Sequence, residues 1–413
     1  MRLLISFAAL FASILFVQLG SGTLGPLDAL AGAAHGFTTG EIGLLGSAHY
    51  VGFFVGCFIA PQLIGAVGHS RTFTVFAAVG AISALLHPIL VDPIAWSFMR
   101  VGSGASVAAC YTVVEGWLQA KVTNQTRGGV LGVYRTVDLG GSLAAQLIIA
   151  FLDPLAYVSY SLIAIFCCLC LMPIALTTRE APVAPGTPRL HPIRAFQLSP
   201  LGAVGVLIVG LTNASFRMVG PVFGAQIGLT ASQIGLFLAS GVLGGALAQI
   251  PVGRLADRFD RRWVLIGISV AATLVCLVMS AGMGMEGGWP TYLGALLFGA
   301  AAFPLYSISA AHANDHSPPE QVVELNASLM FLFGVGAIVS PLLAAYLIQW
   351  FGAPALFAYI AGAHVFLIGF GFYRMSRRAS PTKRGGYRYL PRTSFVLTRL
   401  FRRNGHAKAT VDD

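Results

Sequence analysis

The stretch Gly253-Arg254-Leu255-Ala256-Asp257-Arg258-Phe259-Asp260-Arg261-Arg262 places six charged residues in ten positions. Across the whole chain of 413 residues only 10% are Asp, Glu, Lys or Arg, so charge here is locally concentrated. The flanking segments 232–252 and 263–285 carry none. A bilayer core about 30 Å thick needs ~20 apolar residues per spanning helix. A basic block between two such runs reads as a short loop joining two membrane spans.

The rest of the composition agrees. Apolar residues make up 56% of the chain, against roughly 45–50% in a soluble protein, where charged residues are about 25%. The 25 Lys and Arg exceed the 15 Asp and Glu, for a net charge of +10. A nucleic-acid binder of that charge would need a solvated surface to carry it, which this composition lacks, so nucleic acid is excluded as a partner. All six cysteines (Cys57, Cys110, Cys167, Cys168, Cys170 and Cys276) lie in apolar runs, with neither a disulfide framework nor a Cys/His metal spacing. The apolar start after Arg2 continues past Gly20 to Leu30, so a retained first span is expected rather than a cleaved leader.

Breaking the runs at Pro, Gly and charge clusters predicts twelve helices, near 3–27, 40–66, 72–91, 94–119, 128–151, 155–177, 200–226, 232–256, 263–285, 290–312, 321–348 and 353–375. With the N-terminus placed inside, the inner segments contain Arg2, Arg71, Lys121, Arg127, Arg179, Arg189, Arg194, Arg254, Arg258, Arg261, Arg262 and eleven residues from Arg374 to Lys408, 22 in all. The opposite loops hold none, and carry Asp28, Asp92, Asp153 and Glu286. This asymmetry predicts both termini in the cytoplasm of a multi-pass inner-membrane protein. Residues 178–199, interrupted by Pro182, Pro185, Pro188 and Pro192, read as a cytoplasmic linker between an N-terminal bundle (1–177) and a C-terminal bundle (200–375). The basic tail, 376–413, is expected against an anionic inner leaflet, as a topology anchor or a regulatory element.

The two halves also resemble each other. A shift of 192 residues lays Phe37–Arg71 on Leu229–Trp263, matching Thr38, Ile42, Gly43, Leu44, Gly52 and Leu63 to Thr230, Ile234, Gly235, Leu236, Gly244 and Leu255. Glu41 and Gln233 follow three residues after each Thr, a helix N-capping pattern repeated in both copies.

With this repeat in hand, the loop Gly253 to Arg262 resembles the signature loop of the major facilitator superfamily, and Arg100 with Gly104 resembles that superfamily's second motif. Gly43 to Gly52, Val67 to Arg71, Val114 to Leu118, Arg127 to Leu131, Ala302 to Ser307 and Ala311 to Asp315 look like the YcaD-like bacterial subgroup. The resemblance implies an all-α membrane protein of two six-helix bundles working by alternating access, with the first and seventh spans lining the cavity. Two departures stand out. Gly65 occupies the place in the first-half loop where the second half has Asp257, and Gly140-Gly141 lacks the proline of the superfamily's antiporter motif.

An ionisable residue inside a bilayer costs at least ~2.5 kcal/mol on insertion scales, so each marks a cavity or a partner. Arg100, Arg135 and Arg217 all fall inside predicted spans. Arg135 and Asp138 share one helical face. They form either a neutralising pair or a proton-exchange site. Arg217 follows Asn213 by one turn, just before Gly220-Pro221, and either satisfies loosened carbonyls or binds substrate. Three arginines against one deep acid, Asp138, favour an anionic solute, since guanidinium matches carboxylate bidentately. Substrate binding is thus assigned to Arg217, Arg135 and Asn213, and proton coupling to Asp138, Arg100 and His49. Gly253, Arg254, Asp257, Arg258, Arg261 and Arg262 form the conformational loop. Glu115, His312, Asn314 and Asp315 form a cytoplasmic gate, the last three with the loop before Glu320 and Glu324. His49 reads equally as a packed histidine, Glu115 as an interface pair with Lys121 and Arg127, and His364 as packing. The Asn-x-Ser/Thr matches at Asn124, Asn213 and Asn326 are not expected to be glycosylated.

The function expected is secondary active transport of a small anionic organic solute, driven by a proton, by a monomer without cofactor or metal. No phosphate-cradling Gly-x4-Gly-Lys-Ser/Thr loop is present to use a nucleotide. The alternatives are proton-coupled drug or metabolite efflux, or a non-transporting receptor or enzyme; the chain shows no nucleophile–base pair for the last.

Overall fold

The computed structural model describes residues 2–122, 127–175, 190–282, 287–318 and 321–377. The basic tail from 378, residues 176–189 of the linker region, and Asn124, Glu286 and Glu320 lie outside the described residues, as do the side chains of Lys121 and Arg127. Helices account for the architecture, with no strand among the described residues. The first half comprises α1 (Arg2–Ala34), α2 (Thr39–Val67), α3 (His69–Leu86), α4 (Pro93–Lys121), α5 (Arg127–Ile148), α6 (Tyr157–Leu169) and α7 (Leu171–Ala175). A short α8 (Pro192–Leu198) leads into α9 (Pro200–Gln226), α10 (Ala231–Arg258), α11 (Arg261–Ser280), α12 (Trp289–Ala302), α13 (Leu305–Asn314), α14 (Val322–Phe351) and α15 (Ala355–Arg377).

Taken as rods, α6 with α7 and α12 with α13 each form one span, so the chain is an all-α membrane protein of two six-helix bundles. Among the described residues, ten rods are long and apolar enough to cross a bilayer. The other two, α4 and α5, have the length but carry Arg100, Glu115, Arg135 and Asp138. Each of these two spans therefore carries both an acid and a base within its length. One boundary differs in a way that matters. The first helix runs to Ala34 instead of ending near 27, with Pro26 inside it, so Asp28 is a helical residue, 1% exposed, and not part of an outer loop.

Local chemistry explains the repeat. Thr38 and Thr230 both complete capping boxes, each accepting from the amide three residues on while Glu41 or Gln233 accepts from the threonine amide. Gly52 and Gly244, equivalent by the same shift, mark the closest helix crossings. A Cβ at either would lie 1.9 Å from a carbonyl oxygen, of Val101 on α4 or Leu296 on α12. No side chain fits there, and the missing Cβ is what lets α2 reach α4 and α10 reach α12.

The halves meet in two seams at the face opposite the Arg71 and Arg254–Arg262 loops. On one, Gly43 of α2 faces Pro341 and Ala345 of α14, with the Gly40 amide donating to Gln349 Oε1 (3.1 Å) and the Leu342 amide to Ser47 Oγ (3.2 Å). On the other, Gly235 of α10 faces the Gln146 carbonyl of α5, and Ser232 Oγ donates to the Ala150 carbonyl (3.2 Å). Gly43 and Gly235 are again equivalent positions. Short α8, inside the expected linker, is tied to α14 by the His191 amide donating to Ser328 Oγ (3.0 Å).

Candidate functional site

A cavity of about 170 Å³ lies between the two halves. Its walls come from α1, α2, α4 and α5 on one side and α9, α10, α13 and α14 on the other, so neither half encloses it alone. Arg135 and His49 reach it from the first half, Arg217 and Asn213 from the second. All three residues expected to bind substrate thus share one wall system. Arg217 and Asn213 do so because α9 runs unbroken from Pro200 to Gln226 through Pro221, which keeps positions four apart on one face. The Arg217 guanidinium also lies 5.5 Å from the centre of the Phe303 ring, a cation–π contact.

Asp138 stands one layer behind the wall. Arg135 Nη1 donates to its Oδ2 at 2.6 Å, while Oδ1 accepts from Gln18 Nε2 (2.7 Å) and from the Tyr111 hydroxyl (2.5 Å). Arg135, Gln18 and Tyr111 all border the cavity, so the carboxylate organises three wall residues from α5, α1 and α4. Gln146, also on the wall, donates to the Gly22 carbonyl (3.2 Å) and draws α1 to α5 beside it. Gln249 donates to Ser307 Oγ (3.3 Å) on the opposing side. Gln18, Gln146, Tyr111 and Gln249 are not among the site residues expected from the sequence. Their signal was available: glutamines within charge-poor spans carry a desolvation cost that a polar cavity removes.

Arg100 is placed differently from Arg135 and Arg217. Its Nη1 is 3.4 Å from Asp28 Oδ2, with side-chain exposures of 1% and 2%, and the same oxygen lies 3.4 Å from His87 Nε2. His87 Nδ1 is 2.7 Å from the Ser83 carbonyl, so the ring is braced on α3's last turn. The charge inventory changes accordingly: Asp28 joins Asp138 as a buried acid within the spans, and Arg100 is matched by it. His49 is buried and edge-on to Tyr50 at 5.4 Å between ring centres. His364 is fully buried among packed side chains, in keeping with a packing role. Glu115 accepts from the Tyr134 hydroxyl (3.0 Å).

With this geometry in place, comparison with known proteins is informative. A family model described as Major Facilitator Superfamily matches residues 202–407. The chain is 27% identical over 362 residues to the uncharacterised MFS-type transporter YcaD of Salmonella arizonae, covering 85% of this chain and 91% of that one. It is 26% identical over 367 residues to an uncharacterised MFS-type transporter of Enterobacter sp. strain 638, covering 87% and 93%. The chain is thus similar to transporters of the major facilitator superfamily. Among solved structures, the nucleoside transporter NupG aligns with a TM-score of 0.74 at 15% identity over 92% of this chain and all of that one. The D-xylose–proton symporter gives 0.69 at 12% identity, over 95% and 98%. At those identities the likeness concerns the fold.

The charged loop from Gly253 to Arg262 packs as follows. Asp257 is 41% exposed at its side chain and 3.4 Å from Arg261, whereas Arg261, 2% exposed, forms its close ion pair with Asp315 at the end of α13 and also donates to the Ala311 carbonyl (3.3 Å). Asp260 caps α11 by accepting from the Arg262 amide (3.0 Å) and pairs with the Arg262 guanidinium at 2.7 Å. The buried acid that pairs with this loop is thus Asp315 from the end of α13, one of the residues expected at the cytoplasmic gate. Asn314 exchanges amide hydrogen bonds with Asn326 on α14 (3.2 and 3.4 Å), and His312 is buried beside His316.

Proposed function

We propose that this protein is a secondary active transporter carrying a small organic anion through the central cavity by alternating access, with a proton as the coupling ion. The observation that carries the reading is the presentation of Arg135 and Arg217 to one cavity from opposite halves. A solute bridging them would be held by both bundles at once, and its release would follow when one cation moves away. Guanidinium groups favour carboxylate or phosphate by paired hydrogen bonds. Around this cavity the two arginines outnumber the single carboxylate, Asp138, behind the wall.

Asp138 is the proton site in this reading. Protonation would release Arg135, freeing it for substrate; ionisation would recapture it. His49 on the cavity wall and Arg100, paired with Asp28, support the proton pathway in this reading. The charge asymmetry of the loops supports termini in the cytoplasm of a cell inner membrane, and a monomer suffices because the cavity is completed within one chain. Residues 178–199 serve as the linker that lets the bundles rock, and Glu115, His312, Asn314 and Asp315 as the cytoplasmic gate.

The test is uptake of radiolabelled organic acids into proteoliposomes under an imposed pH gradient. Wild type should accumulate an anion, Arg217→Gln should abolish binding, and Asp138→Asn should bind but lose gradient-driven accumulation. Unchanged accumulation in Asp138→Asn would overturn the proton assignment.

A further inference from the structure

Beside the central cavity lies a second, smaller pocket of about 40 Å³ between α2 and α14. The two share Tyr50, Phe53, Met330 and Phe333 as common walls, so they are neighbouring compartments of one space. Their chemistry differs sharply. The central compartment presents two guanidinium groups and several amides, whereas the side pocket is framed by Phe53, Phe54, Phe58, Phe331 and Phe333, with the Tyr50 hydroxyl and the Cys57 thiol its only side-chain hydrogen-bonding groups. The rings brace one another across the interface: Phe54 meets Phe331 edge-on at 5.2 Å and Phe58 at 5.0 Å, and Phe333 meets Tyr306 of the central wall at 5.7 Å.

An apolar void of this kind does not hold water well, because water there finds too few partners, while hydrocarbon gains contacts on all sides. One water-sized sphere takes about 10–15 Å³ of such volume, so the pocket admits a short alkyl group of roughly three or four carbons. Like the central cavity, it is walled by both halves, so its shape is tied to the same rocking motion.

We infer that the transported solute is amphipathic, with its anionic head between Arg135 and Arg217 and a short hydrocarbon group in the Phe-lined pocket; this rests on the anion reading proposed above. The class is monocarboxylates, or equivalent anions, with a small aliphatic tail. Dicarboxylates of similar length would place a second charge in the apolar compartment and are excluded. A bilayer acyl chain is the competing occupant, since Phe58 is 38% exposed at the outer surface.

The full-length protein in lipid nanodiscs is titrated with acetate, butyrate, hexanoate and adipate. Affinity is read from thermal stabilisation, and the alkylation rate of each cysteine from peptide mass spectrometry. Kd should fall about three- to fourfold per methylene from acetate to hexanoate, with adipate far weaker than hexanoate. Hexanoate, and not acetate, should slow alkylation of Cys57, which lines the pocket, while exposed Cys168 keeps its rate. Cys57→Leu, which fills the pocket and leaves both arginines in place, should bind acetate as wild type does and lose the gain with chain length. Equal affinities across the series would overturn the inference and spare the anion reading, as would Cys57 protected by lipid alone and indifferent to hexanoate. Failure of every carboxylate to bind would overturn the anion reading, and this inference with it.

Discussion

The Arg100 guanidinium on α4 lies 3.4 Å from the Asp28 carboxylate on α1, with both side chains almost wholly removed from solvent. Two charges in such a place are tolerable only together. Removing one partner of a buried pair typically costs about 3–5 kcal/mol, whereas replacing both by apolar groups of similar volume is often neutral. Asp28→Leu and Arg100→Met should each lower the thermal unfolding temperature of the purified protein markedly. The double variant should recover most of the loss. Additive losses would show that the two residues do not depend on each other.

The Asp138 carboxylate is held by three donors, so its removal should be felt through α1, α4 and α5 together. A hydrogen bond to a charged group contributes about 1.5–3 kcal/mol. Tyr111→Phe should cost about that much, measured by thermal or denaturant unfolding in detergent, and Asp138→Ala more, because it also strands Arg135. A Tyr111→Phe protein as stable as wild type would remove the hydroxyl from the network.

Of the two acids that face Arg261, the one more deeply buried should matter more for stability. Asp315, 4% exposed at its side chain and paired with Arg261, should cost several kcal/mol on change to Ala. Asp257, 41% exposed, should cost at most about 1 kcal/mol. Chemical unfolding of the two single variants decides the order, and a larger loss at Asp257 would reverse it.

Gly52→Ala and Gly244→Ala should each fail to give folded protein, since the new Cβ would sit 1.9 Å from a backbone oxygen and the helix pair would have to separate. Gly267→Ala, with open space around it, should be neutral or stabilising by up to about 1 kcal/mol. Size-exclusion profiles of the solubilised variants report this directly.

At the seam opposite the basic loops, Gly235→Leu should wedge α10 from α5, because even a Cβ added there would lie 2.5 Å from the Gln146 carbonyl. With native cysteines replaced, a Gly40→Cys, Gln349→Cys pair should cross-link efficiently in the parent and less so beside Gly235→Leu. Equal cross-linking would show that the two seams open independently.

How much of this was legible beforehand follows from the physics of each feature. The twelve spans, the capped repeat and the basic loop are local properties: apolar run length, a threonine three residues before Glu41 or Gln233, and charges that resist entry into lipid. Arg217 and Asn213 could be placed on one face because helical spacing is fixed. Asp28 was misread because the apolar run weakens at Pro26 and Asp28, and only its tertiary partner, Arg100, 72 positions away in sequence, makes a helical aspartate tolerable there. Asp315 could be placed at the inner end of its span, but its pairing with Arg261, 54 positions away, exists only through packing. The sequence by itself determined that the chain lives in a membrane as two repeated helical bundles, since bilayer thickness and backbone hydrogen bonding leave little choice. Only the tertiary structure decided which buried charges neutralise one another and which face the shared cavity, because that depends on distances between helices, which no spacing along one helix encodes.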